Sequence, residues 1–280
     1  LTFIIVTFKS EYIIHECIES LPKNSNIIVI ENSNNSELKK TLEEKYSKIK
    51  VIVQENSGMG SANNKGIKLC KTDYAFVINP DVKFYEDTLQ ELISFSSKHN
   101  DYSILAPISD DIEYPNYKIM NKKLINNNPD YLSVDSVDGF AMLLNKNKFN
   151  DNIYFDENFF LYLENDDLCL RKKKEKRKIY VVKKAKINHL GGKSPSIIYE
   201  KEIEYSRNWH WMWSKFYFNK KHYGYLKAFL KSFPILITSA INFFYYFVTN
   251  NKLKKKIYIM RFLGLLNAMM SKKSWYRPKV

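Results

Sequence analysis

The sequence predicts an α/β fold, a mostly parallel sheet with flanking helices, followed by a basic, apolar helical extension. Three observations predict it. Short apolar runs alternate with helical patterns over the first hundred residues, the net charge is confined to the last eighty, and a charge-free stretch of 20 residues, 232–251, lies in that tail. The first run is FIIVTF at 3–8, followed by Ile14, Cys17, Ile18 and Leu21 at helical spacing. IIVIE at 27–31 comes next, then Leu38, Leu42 and Tyr46 on one helical face. IKVIVQ at 49–54 leads to a helix holding Ile67, with Ser61 as its expected N-cap, and YAFVIN at 74–79 closes the series. This β-α-β-α-β-α-β order implies parallel strands with right-handed crossovers, so a ligand is expected at the carboxyl ends of the strands.

From 100 to 200 the alternation loosens. The extended pieces ILAPIS, VDGFAMLLN and KIYVVKKAKIN surround one helix near 164–176, which reads as a second half with antiparallel pairing at the sheet edge. RNWHWMWSKFYF at 207–218 is a further helix whose Trp209, Trp211 and Trp213 suit either an acceptor wall or a core. The division expected is one domain over 1–220 and a membrane-associating tail over 221–280.

Of 280 residues, 45% are apolar and 26% charged, which excludes fibrous and wholly disordered classes. Residues 1–200 hold 28 Lys/Arg against 28 Asp/Glu, whereas 201–280 hold 16 against 2, so the tail carries the whole net charge of +14. A tail of this kind favours an anionic surface, either lipid headgroups or nucleic acid. Leu226, Phe229, Leu230 and Phe233 share one face with Lys227 and Lys231 off it, and KLKKK follows at 252–256. That pattern favours a helix lying in the headgroup region over one that spans or is buried. The three cysteines show no metal or disulfide spacing, and the chain opens on a strand without a secretory signal, so a cytoplasmic location is expected.

Four strings can carry chemistry. Gly58, Gly60 and Gly66 lie in NSGMGSANNKG after the third strand, where glycine lets backbone approach a ligand. Asp81 follows the fourth strand in FVINPDV, placed to hold Mg²⁺ or Mn²⁺ with the oxygens of a diphosphate. Glu164, Asp166 and Asp167 crowd the start of a helix, where mutual repulsion and the helix terminus can tune one of them as a general base. His189 precedes Gly191, Gly192, Lys193 and Ser194, offering a metal-ligating imidazole, backbone amides and a cation.

Taken in order, VTF (6–8), IVIENSNN (28–35), NSGMGSANNKGI (56–67), NPD (79–81), DGFAMLL (138–144), FDENFFLYLENDDLCLR (155–171) and NHLGGKS (188–194) resemble the family-2 glycosyltransferases of GT-A fold. The likeness is strongest to the rhamnosyltransferase-like enzymes of bacterial surface polysaccharide assembly, and it implies a Rossmann-like sheet. It further implies that Thr7 and Glu31 line a nucleoside pocket, that Asn56, Gly58, Gly60 and Asn64 shape the donor loop, and that Asp81 and Asn79 take the two ends of the family's metal motif. Lys193 would face the departing diphosphate. Asn165 stands where the usual catalytic Asp would be, which leaves Glu164, then Asp166, as the base, with Asp167 orienting. The resemblance implies an inverting, metal-dependent transfer from dTDP-rhamnose or a UDP-sugar to a glycan or a polyprenyl-diphosphate-linked acceptor. It also places the enzyme peripherally on the inner face of the cell membrane. Two other readings compete: a sugar nucleotidyltransferase, which needs a Gly-rich basic loop that VTFKSEY lacks, and a nucleic-acid-binding protein using the tail, against which the charge-free 232–251 speaks.

Overall fold

The computed structural model describes residues 1–120, 128–149, 153–191 and 197–280. They fall into two compact units, Leu1–Asp156 with Glu164–Ser196, and Glu157–Leu163 with Ile197–Val280.

In the first unit, β1 (Thr2–Thr7), β2 (Asn26–Glu31), β3 (Ile49–Val53) and β4 (Tyr74–Ile78) alternate with α1 (Ile14–Ser20), α2 (Ser36–Lys45) and α3 (Met59–Leu69), as the periodicity expects. All neighbouring pairs among these four strands are parallel. Their register levels Thr7 with Glu31 and Ile5 with Ile78, so the residues after β4 emerge at the same edge as the ends of β1 and β2. The runs are continuously apolar because helices cover both faces: Phe3 and Ile5 enter one core cluster, Ile4 and Val6 the other. The N-cap of α3 is Gly58, not Ser61, because φ of 88° at Gly58 turns the chain into a helix that begins at Met59.

The second half comprises β5 (Val82–Phe84), α4 (Thr88–Lys98), β6 (Tyr102–Ser109), β7 (Tyr117–Lys118), β8 (Tyr131–Ser133), β9 (Ser136–Val137), β10 (Ala141–Asn145), α5 (Glu164–Lys174) and β11 (Lys178–His189). The main sheet runs β3-β2-β1-β4-β10-β6-β11-β5, with β8 beside β11, while β7 and β9 form a separate ribbon. Antiparallel pairing was expected at the edge only. It occurs there in β5 and β8, but β10 also lies antiparallel between β4 and β6 in the middle of the sheet. All five residues of β10 are buried, as a central strand requires.

The second unit is built from α6 (Glu200–Tyr223), α7 (Tyr225–Val248) and α8 (Lys252–Met269). Trp209, Trp213 and Phe216 form its core with residues of α7 and α8, so for two of the three tryptophans the core is the alternative that holds. Trp211 stays 40% exposed, edge-on to Tyr162. Because α6 packs with α7 and α8, the compact units part at Ser196 and Ile197. Residues 157–163 belong to this unit: Ser214 Oγ donates to Leu161 O at 2.8 Å and Phe160 stacks on His210. Burial between these groups pushes the His210 imidazole down to about 3, so it stays neutral.

Candidate active site

At the carboxyl edge, β1, β2 and β11 end on the predicted residues Thr7, Glu31 and His189, and β4 leads into Asn79 and Asp81. Thr7 closes β1 fully buried, and its Oγ1 has no hydrogen-bond partner. Glu31 closes β2, also fully buried, and its carboxylate accepts from the Ser33 amide at 2.9 Å and the Asn35 amide at 2.5 Å. Those bonds fix the loop into α2, whose N-cap is Asn35. A carboxylate has further lone pairs, so holding the loop leaves acceptor capacity.

The glycine-rich loop is set by side chains. Asn56 Oδ1 accepts from Asn32 Nδ2 and from the Gly58 amide, both at 3.1 Å. Asn64 gives both ends of its amide to Phe155, donating to its carbonyl at 2.8 Å and accepting from its N–H at 2.9 Å. Asn64 therefore clamps the segment at Phe155 onto α3. A Cβ on Gly60 would stand 3.1 Å from Cβ of Phe155 and 3.6 Å from that of Glu164, so glycine there permits the close approach of α5.

Asp81 and His189, far apart in sequence, are brought together by the antiparallel pairing of β5 with β11. His189 Nε2 lies 3.4 Å from Asp81 Oδ1, an atom that is buried and accepts no hydrogen bond. Phe140 stacks on the imidazole at 3.8 Å between centroids, and the Asn79 amide donates to Phe140 O, which ties the end of β4 to the start of β10. Among the described residues no three His, Cys, Asp or Glu stand together as a metal cage. The pair nevertheless fits a divalent cation that takes its remaining oxygens from a diphosphate: it supplies one carboxylate with an orphaned buried oxygen and one imidazole oriented by stacking.

The three carboxylates at the start of α5 have separate surroundings. Asp167 is fully buried and accepts from Arg171 Nε at 2.9 Å, and Asp166 accepts from Lys118 Nζ at 2.9 and 3.0 Å. Glu164 is buried with Oε2 unpartnered, and burial pushes its carboxyl up to about 7, with Asp166 adding to the rise. Tyr162 and Leu163, just before it in the chain, take left-handed φ of 71° and 66°. Asn165, in the place of the usual acid, donates to Val137 O at 2.9 Å and packs on Gly139. It docks α5 against β9.

A chain of contacts therefore runs from Asp81 through His189 and Phe140 to the Asp138–Gly139 turn, Asn165 and Glu164, on one edge of the sheet. Asp138 is a residue that sequence reasoning missed. Burial raises its carboxyl, Lys118 and His189 pull it back, and Asp166 raises it, so it faces both halves of the site. The string DGF gave the only signal, since Lys118 and His189 come from elsewhere in the chain. Lys193 lies outside the described residues.

The model of glycosyl transferase family 2 matches residues 2–152, more than half of the chain. This chain belongs to glycosyl transferase family 2. The family-2 chain is 26% identical over 203 residues to the low-salt glycan biosynthesis hexosyltransferase Agl10 of Haloferax volcanii, covering 62% of each. It is 28% identical over 110 residues to the putative glycosyltransferase EpsH of Bacillus subtilis, covering 37% of this chain and 32% of that one. The matched stretch thus spans under two thirds of either relative. In structure it resembles GalNAc-T7, crystallised with UDP, GalNAc and Mn²⁺, at TM-score 0.56 and 15% identity over 75% of this chain and 50% of the other. That likeness bears out the GT-A fold.

Proposed function

We propose that this chain is an inverting glycosyltransferase that moves a sugar, rhamnose in first place and a UDP-hexose in second, from a nucleoside-diphosphate donor to a sugar hydroxyl. The observation that carries the reading is Glu164, a carboxylate with a buried orphaned oxygen and a proton affinity near neutrality, on the same sheet edge as Asp81 and His189. Glu164 Oε2 takes the proton of the acceptor hydroxyl as that oxygen attacks the anomeric carbon from the face opposite the leaving diphosphate. One displacement with one base inverts the anomeric centre. Asp166 and Asp167, already paired with Lys118 and Arg171, hold the start of α5 and orient Glu164. Thr7 supplies an unused hydroxyl to the nucleoside, and the Asn56-braced loop at Gly58 and Gly60 lies against it. Asp81 and His189 would hold Mg²⁺ or Mn²⁺, whose chemistry is to neutralise charge on the leaving phosphates.

The role in glycan biosynthesis that the name of Agl10 carries supports a sugar acceptor, and the basic helical unit supports one carried on a polyprenyl diphosphate at the cytoplasmic face of a membrane. A thermal-shift screen of dTDP-rhamnose and UDP-hexoses with and without Mn²⁺ tests the reading. One donor should raise the melting temperature in a Mn²⁺-dependent way, and Asp81→Asn should abolish that dependence. A melting temperature indifferent to every donor would sink it.

A further inference from the structure

Helix α7 is packed opposite to the usual rule for a helix in water. The side chains it buries are small: Ala228, Ser232 and Ser239. Leu230, Phe233, Ile237, Ile241, Phe244 and Val248, spaced three and four residues apart on one face, are instead 44–82% exposed. A surface helix in water turns such a stripe toward the core, whereas a helix in lipid puts small residues against its neighbours and large apolar ones outward. The stripe runs nearly the length of a helix that is long and apolar enough to cross a bilayer.

Cations stand at both ends of the stripe. Lys227 and Lys231 lie 4.9 and 5.4 Å from the Tyr223 ring, near the start of α7. After the turn at 249–251, α8 opens with Lys252, Lys254, Lys255 and Lys256, and its first turn holds no acid. Lysines at the positive end of a helix repel its dipole, and no acidic residue follows Glu204 to offset them. Crossing the bilayer would carry α8, packed along α7, with its mid-helix Arg261 into hydrocarbon, at roughly 3 kcal/mol for a charge at the centre, and would drag the lysine cluster at 252–256 through to the far leaflet. Lying in the interface leaves Lys227, Lys231 and the lysines that open α8 in the headgroup layer.

We propose that the exposed face of α7 seats in the interfacial layer of a bilayer rich in anionic phospholipid, with acyl chains against Ile237 and Ile241 and lipid phosphates on Lys227, Lys231, Lys254 and Lys255. This rests on the membrane reading above and names the face and the lipid. It places the enzyme by shape and charge together: the apolar stripe sets depth, and the lysines select the leaflet.

The test is co-sedimentation of the full chain with phosphatidylcholine vesicles, with and without phosphatidylglycerol. Binding is expected with phosphatidylglycerol, weakened on the order of fivefold for each of Lys254→Gln and Lys255→Gln, and by salt. Ile237→Glu with Ile241→Glu should reduce binding at least tenfold without lowering the melting temperature, because both side chains already face outward. Wild-type affinity in that double variant would overturn the assigned face while leaving membrane attachment standing. No vesicle binding by the wild type, with dimers lost in the double variant or with retention on DNA, would overturn both. Sugar transfer to a soluble acceptor, measured in parallel, reports separately on the catalytic reading.

Discussion

At Glu164 a single side chain ties rate to stability. Its folded proton affinity, about 7 against an ordinary 4.5, means that the fold favours the protonated acid. The stability it contributes is therefore complete below about pH 4.5 and is lost as pH rises through 7. Glu164→Gln removes that loss, so the variant should be the more stable protein above neutrality by about 3 kcal/mol, with the difference closing toward pH 4.5 in urea titrations. Rate moves the other way. As the base proposed here Glu164 acts in its ionised form, so kcat should rise through pH 7 in the wild type, and Glu164→Gln should lose about 10²-fold or more while still binding donor. Asp166→Asn, beside it, frees Lys118 from an exposed pair and should cost rate but under about 1 kcal/mol of stability.

Elements here are seated by close backbone approach at a few glycines. A Cβ at Gly66 would stand 2.3 Å from Cγ2 of Ile4, so α3 rests directly on β1. Gly66→Ala should cost about 1–3 kcal/mol, read as a lower urea midpoint, and should displace the donor loop that α3 anchors. At Gly264 the added atom would meet Trp209 O at 2.2 Å, a backbone atom that cannot swing aside. Gly264→Ala should therefore separate α8 from α6 and destabilise the helical unit by about 3 kcal/mol or more, measurable as a new low-temperature transition in calorimetry. Helix α5 shows how much of an element can be read in advance. Its position and its acidic start were legible from spacing, whereas the division of labour among its three carboxylates depended on Lys118 and on Arg171 meeting Asp167.

Across the whole molecule, charge and redox chemistry are both segregated. The acid-free tail and the neutral sheet unit differ so sharply that adsorption to anionic surfaces should belong to the helical unit alone. Cys17, Cys70 and Cys169 are buried free thiols, and burial pushes the Cys169 thiol up to about 12. A thiolate is the reactive form, so the native protein should resist a thiol-specific chromogenic reagent and release three equivalents only in denaturant. Reductant should leave the melting temperature unchanged.

The sequence by itself determined the four parallel strands, the residues they carry to one edge, and the split between a neutral sheet and a basic helical tail. These features are written in local periods and in composition, which no distant contact can alter. Only the tertiary structure decided that β10 enters the middle of the sheet, that Asp81 meets His189, that Glu164 buries one carboxylate oxygen without a partner while Asp166 and Asp167 pair with cations, and that α7 turns its large side chains outward. Strand order, ion pairing and desolvation depend on residues far apart in the chain, and the folded arrangement alone determines which of them come within a few ångströms.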